Sequence, residues 1–143
     1  MNDWRKDLKS FFGKTEETKL REDKTEMTNF ITNIAIPAFR ELEAELARFG
    51  RYVNIRETVN TASITVFAQA GDEELMYRIQ SRMFPNGVLP YAEIRFRERK
   101  GLRFLSIESM FRSGSQNYSL ADITTDEIIK NFLEHYMKRV EKI

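Results

Sequence analysis

Cysteine is absent from the 143 residues, which removes disulfide scaffolds, thiolate metal sites, cysteine nucleophiles and dithiol redox pairs together. Histidine occurs once, at His135, so no second imidazole exists to complete a transition-metal site. The same scarcity leaves a serine-type triad with one conventional base, and Ser113-Gly114-Ser115 lacks the flanking pattern of a nucleophile turn. The 6 glycines form neither a dinucleotide fingerprint nor a phosphate-cradling lysine loop. Long apolar runs are missing as well: the longest, from Ile31 to Phe39, contains Pro37 and is far short of a membrane span. Residues 1–7 are too polar for the apolar centre of a secretory signal. An excess of one charge is also lacking, since 23 basic against 22 acidic side chains leave +1, which argues against a wholesale polyanion binder. These absences point to a cytoplasmic, non-enzymatic protein with no metal, no cofactor and no membrane span.

What is present is a globular composition, 41% hydrophobic and 31% charged, in a chain long enough for one proper core. Residues 3–12 form a short amphipathic segment with Trp4, Leu8, Phe11 and Phe12 on one stripe. Residues 14–26 hold only Leu20 as a clearly apolar residue, which reads as a solvated helix or a charged linker. The expected division is therefore 1–24 as an amphipathic segment plus charged linker, and 25–143 as a single α+β domain. Within it Met27, Phe30, Ile31, Ile34, Phe39, Leu42, Leu46 and Phe49 recur at helical steps over 25–49, with a kink or break expected just before Pro37.

Five alternating stretches follow. Val53 and Ile55 share one face of 51–57; Ala62, Ile64 and Val66 share one face of 62–70; Leu75, Tyr77 and Ile79 share one face of 75–84. Gly71-Asp72 suits a two-residue hairpin turn, which would oppose Val66 to Tyr77 and Ile64 to Ile79. Residues 84–90 carry two prolines and read as a loop. Residues 91–111 read as a second hairpin with Ala92, Ile94 and Phe96 inward. A three-residue loop 99–101 would oppose Phe96 to Phe104, Arg97 to Arg103 and Arg95 to Leu105. Residues 112–120 read as a polar loop. The last helix, from about Thr125 to Glu141, starts at a capping box of Thr124 and Glu127 and buries Ile128, Phe132, Leu133, Tyr136 and Val140. The fold class expected is α+β: a five-stranded antiparallel meander with a long Pro-kinked N-terminal helix and a C-terminal helix packed on one face.

Chemistry concentrates on the other face. Residues 51–112 carry ten basic and seven acidic side chains, and nine of those ten are arginine. The pattern gathers Arg56, Arg78, Arg82, Arg95, Arg97 and Arg103 with Tyr52, Phe67, Met76, Tyr91 and Leu105 on the face away from the helices. Arginine, aromatics and methionine together are the mixture enriched at protein interfaces. The expected partner is a protein, in the first place a second copy forming a homodimer, with Trp4, Leu8, Phe11 and Phe12 as a partner segment. A basic sheet with aromatics also suits single-stranded nucleic acid or another anionic ligand, the alternative reading. The plain reading is a solvated strand face whose charges deter edge aggregation.

Overall fold

A computed structural model describes residues 4–84, 87–97, 103–112, 118 and 120–140; the side chains of residues 10–21, 23, 83, 84 and 87 lie outside that description. The chain begins with one helix, α1 (Trp4–Phe30), which runs through a π-helical turn (Ile31–Ala35) into α2 (Ile36–Ala47). Residues 14–26 are thus part of a continuous helix. The π turn ends where Pro37 occupies the start of α2, and the Ile36 amide donates to the Ile31 carbonyl five residues back. Pro37 has no N–H to offer, so a disturbance of the ladder at this point is what the sequence predicts.

The wide turn also solves a spacing problem. Met27, Ile31, Ala35 and Phe39 are all buried, and they follow one another at steps of four. At 3.6 residues per turn, three such steps drift by about 120° around the axis. A π turn absorbs one extra residue, worth about 100°, and brings all four back onto one core-facing line.

Five antiparallel strands form a meander in the order β1 (Tyr52–Glu57), β2 (Ala62–Phe67), β3 (Glu73–Phe84), β4 (Gly87–Arg97), β5 (Phe104–Met110). Val53, Ile55, Ala62, Ile64, Val66, Leu75, Tyr77, Ile79, Ala92 and Ile94 share the face covered by the helices, as their alternation predicts. Helix α3 (Thr125–Arg139) closes that face beside α2. Thr124 caps its first turn as expected, the Glu127 amide donating to Thr124 Oγ1 at 3.2 Å, whereas the Glu127 carboxylate, expected as the return half of a capping box, accepts from Arg112. The fold is α+β, with both helices on one side of the sheet.

The registers differ from expectation in three places. The β2–β3 hairpin opposes Val66 to Leu75 and Ile64 to Tyr77, two residues from the predicted pairing. Gly71, at φ 100°, is the third residue of a three-residue loop rather than the first of a two-residue turn. Its amide donates to Ala68 O, and the Ala68 amide donates to Asp72 O, both at 2.8 Å. A shift of two keeps the side chains of β2, and those of β3 from Leu75 onwards, on their predicted faces. Between Val66 and Phe67 the register then slips by one, leaving Glu74 as the inserted residue of a β-bulge.

The second departure is 84–90, read as a loop. There β3 and β4 continue pairing as far as Phe84 opposite Gly87, with Pro90 opposite Ser81. Pro90 is tolerated because its backbone polar edge faces away from β3, beyond the end of β5. Its carbonyl accepts from the Tyr118 hydroxyl at 2.8 Å, so no ladder bond needs the missing N–H. Tyr118, assigned to a polar loop, is in fact buried in the core.

The third is β5. Phe96 opposes Leu105, Ile94 opposes Ile107 and Arg97 opposes Phe104, one residue from the predicted register. A slip of one inverts the strand. Leu105 and Ile107 therefore lie on the helix-bearing side, and Phe104 takes the other. Like is paired with like across the ladder: Ile107 on Ile94 and Leu105 on Phe96.

Candidate interaction face

The face opposite the helices is built from alternate residues of all five strands. Arg56 lies opposite Ser63, which opposes Arg78, which opposes Glu93, which opposes Glu108. In the next row Asn54, Thr65, Met76, Arg95 and Ser106 follow one another. Tyr52 opposes Phe67, and Phe67 opposes Glu73, towards the end where the β2–β3 loop emerges. The structure thus brings Arg56, Phe67, Met76, Arg78, Arg82, Tyr91, Arg95 and Arg97 onto one face, as expected. Leu105 is not among them, because β5 is inverted. Arg103 is exposed just ahead of β5 and does not oppose Arg97. Phe104, absent from the expected set, replaces Leu105.

The arginines are not bare. Arg95 grips Glu73 with two hydrogen bonds, Nη2 to Oε1 at 2.8 Å and Nε to Oε2 at 3.1 Å. Arg82 reaches both carboxylate oxygens of Glu108 at 2.6 Å, and Arg78 lies 3.9 Å from Glu93. The Glu108 carboxylate pushes the Arg82 guanidinium above its ordinary value. Glu73 joins this face because the bulge at Glu74 resets the alternation ahead of Leu75. Glu108 joins it because β5 is inverted. Strict alternation puts neither on this face and expects Glu74 there instead, which the bulge turns to the helix side.

Aromatic rings floor the same guanidinium groups. Arg82 stacks over Tyr91 at 4.4 Å from the ring centre, while Arg95 and Arg97 flank Phe104 at 5.4 and 5.2 Å. Tyr91, Met76, Ser63 and Thr65 are buried on this face, whereas Tyr52 and Phe104 are 67% and 41% exposed. Arg97 Nε is buried with no hydrogen-bond partner among the described residues.

Comparison with protein-family models, curated proteins and solved structures finds no match.

Other titratable groups serve the fold. No cluster of three or more potential metal-ligating side chains occurs among the described residues. His135 accepts from Arg139 Nε at 3.5 Å, and burial, aided by Arg139, holds its imidazole below the ordinary value. Arg112 is committed to α3, bonding Glu127 Oε1 at 3.0 Å and the Asp122 carbonyl at 2.9 Å. The bulge residue Glu74 turns to the helix side, where it accepts from Tyr136 Oη at 2.8 Å and from Arg51 Nε at 3.2 Å.

Burial, reinforced by the hydrogen bond to Glu74, raises the Tyr136 phenol to about 12. A phenol raised in the folded state contributes stability that is complete below its unfolded value near 10 and is lost as pH climbs through 12. Tyr77, fully buried, is raised by desolvation in the same direction. Urea midpoints are therefore expected to hold up to about pH 10 and fall above it, with Tyr136→Phe flattening the alkaline slope. An unchanged slope in that variant would refute this role for Tyr136.

Trp4 and Leu8 are 61% and 46% exposed, so these two side chains are not buried on the sheet. Phe11 and Phe12 belong to the same helix, with side chains outside the description. No helix among the described residues is long and apolar enough to cross a membrane.

Proposed function

We propose that this chain is a non-enzymatic binding or adaptor protein that pairs with a second copy of itself through the open face of its sheet. The observation that carries the reading is Tyr52 and Phe67 towards one edge of the face and Phe104 at the other, among arginines that already hold carboxylates. An interface with two-fold symmetry sets a patch against its own image, so it must tolerate its own charges. Of the five arginines on the described strands of this face, three lie against Glu73, Glu93 or Glu108. Two such faces meet with little of the repulsion that bare arginines would create. The rings and Met76 supply apolar area, and the flat arginine planes supply stacking.

The same pairing weakens the nucleic-acid alternative, because a guanidinium engaged by a carboxylate has less to offer a phosphate. The test is solution mass by light scattering across a concentration series. A mass approaching twice the 16.9 kDa chain is expected, moving back towards a single chain in Tyr52→Glu and Phe104→Glu. Met137→Glu, on α3, should leave it unchanged. A wild-type mass of one chain at every concentration would sink the reading.

A further inference from the structure

The outboard part of α1 carries a second surface, independent of the sheet. From Trp4 to Glu26 every described side chain is exposed, and Met27 is the first of the described side chains of the helix to be buried. At 1.5 Å per residue this stretch is about 35 Å long. Its composition is divided. Residues 4–14 contain Trp4, Leu8, Phe11 and Phe12, with Arg5, Lys6, Lys9 and Lys14 against the lone acid Asp7. Residues 15–26 contain one apolar side chain, Leu20, with three basic and five acidic residues.

On the helix those four apolar residues fall within an arc of about 100°. Arg5 and Lys9 follow one edge of that arc, Asp7 and then Lys14 follow the other, and Lys6 lies on the far side. The apolar stripe stops at Phe12 and is not taken up again before Met27. A helix that pairs with another helix needs a seam that continues along the contact, and residues 13–26 provide none. What remains is a short apolar arc in a stretch of net positive charge, its inner end about 20 Å of helix from the domain. Trp and Phe on one side with Lys and Arg on the other is the make-up of a helix that lies in a lipid interface rather than spanning it.

We propose that residues 4–14 of α1 dock on an anionic lipid surface, with Trp4, Leu8, Phe11 and Phe12 entering the headgroup boundary and Arg5, Lys6, Lys9 and Lys14 meeting the lipid charges. The net +3 of this stretch supplies the complementarity, in a chain whose total is only +1. The remainder of α1, polar and mixed in charge, holds the domain off the surface as a stalk. This docking does not depend on the sheet pairing, and either can fail without the other.

Trp4 is the only tryptophan in the chain, so its emission reports directly on the patch. The full-length protein is titrated with phosphatidylcholine vesicles, with and without phosphatidylserine, and binding is followed by fluorescence and by co-sedimentation. A blue shift and sedimentation with the phosphatidylserine vesicles are expected, both weakening as salt is raised. Lys6→Gln/Lys9→Gln should lower partitioning about twenty-five-fold, at roughly fivefold per basic residue. Phe11→Ser/Phe12→Ser should reduce the blue shift while Trp4 stays in place as reporter. Three results overturn the proposal: no shift with anionic vesicles, equal binding to neutral ones, or a shift without lipid that grows with protein concentration. The last would assign the patch to a second copy.

Discussion

Phe132→Ala is expected to lower the unfolding free energy by about 3–5 kcal/mol, read as a fall of roughly 10 °C or more in Tm. The reason is position more than size. Phe132 is fully buried and meets Tyr77 edge-on, with ring centres 5.5 Å apart at 76°. It also stacks on Tyr136 at 5.5 Å and 16°. Phe39 of α2 meets the far side of Tyr77 at 6.0 Å and 86°. Four rings from α2, β3 and α3 thus form one continuous series through the core. Truncating the third opens a cavity between sheet and helix that neither neighbour can fill without leaving its geometry. Calorimetry or a urea series measures it, and a cost under 1 kcal/mol would mean that α3 is not seated on Tyr77 as described.

Asn131→Ala is the second large effect, at about 1–3 kcal/mol. Asn131 is a buried polar residue on a helix whose neighbours are apolar. It accepts from the Tyr77 hydroxyl at 2.8 Å and donates to Ser109 Oγ at 3.2 Å, which ties α3 to β3 and β5. Removing it strands a hydroxyl at a site fully closed to water, and that unmet donor is the main cost. The asymmetry gives a sharper check. Asn131→Leu alone should be as harmful as the alanine, whereas adding Tyr77→Phe should recover much of the loss, because no polar group is then left unpaired. A double-mutant cycle with no coupling would show that the hydrogen bond is not what holds Asn131 in place.

Burial was legible in the sequence because alternation reports it directly. The inward residues of β1 to β4, the N-terminal cap of α3 and the disturbance ahead of Pro37 all follow from local periodicity and chemistry. Registers were less legible, since they rest on loops, and Gly71 can serve as the first residue of a two-residue turn or the third of a longer one. That choice moved the hairpin by two residues and hid the bulge at Glu74. For β5 a better signal was available in Leu105 and Ile107, whose match to Phe96 and Ile94 favours the observed register over the assumed loop.

The candidate face was half legible. Its arginines, and Glu93 beside Arg78, could be placed by parity alone, but the partners of Arg95 and Arg82 could not. Glu73 reaches the face through a bulge and Glu108 through a strand inversion, and neither leaves a periodic trace. Pro90 was hidden differently: whether a proline breaks a strand depends on which neighbour its nitrogen faces, and that is decided by where β5 ends.

Because Trp4–Phe30 is a single helix, the rotation set at Ile31–Ala35 is carried outward to its first residues. Excising one residue from the wide turn would restore ordinary pitch and swing Trp4 and Leu8 by about 100° relative to the sheet. The stretch that aligns the core is therefore also the gimbal of the protruding arm, and it sets the compass bearing of Trp4 and Leu8, more than twenty positions away.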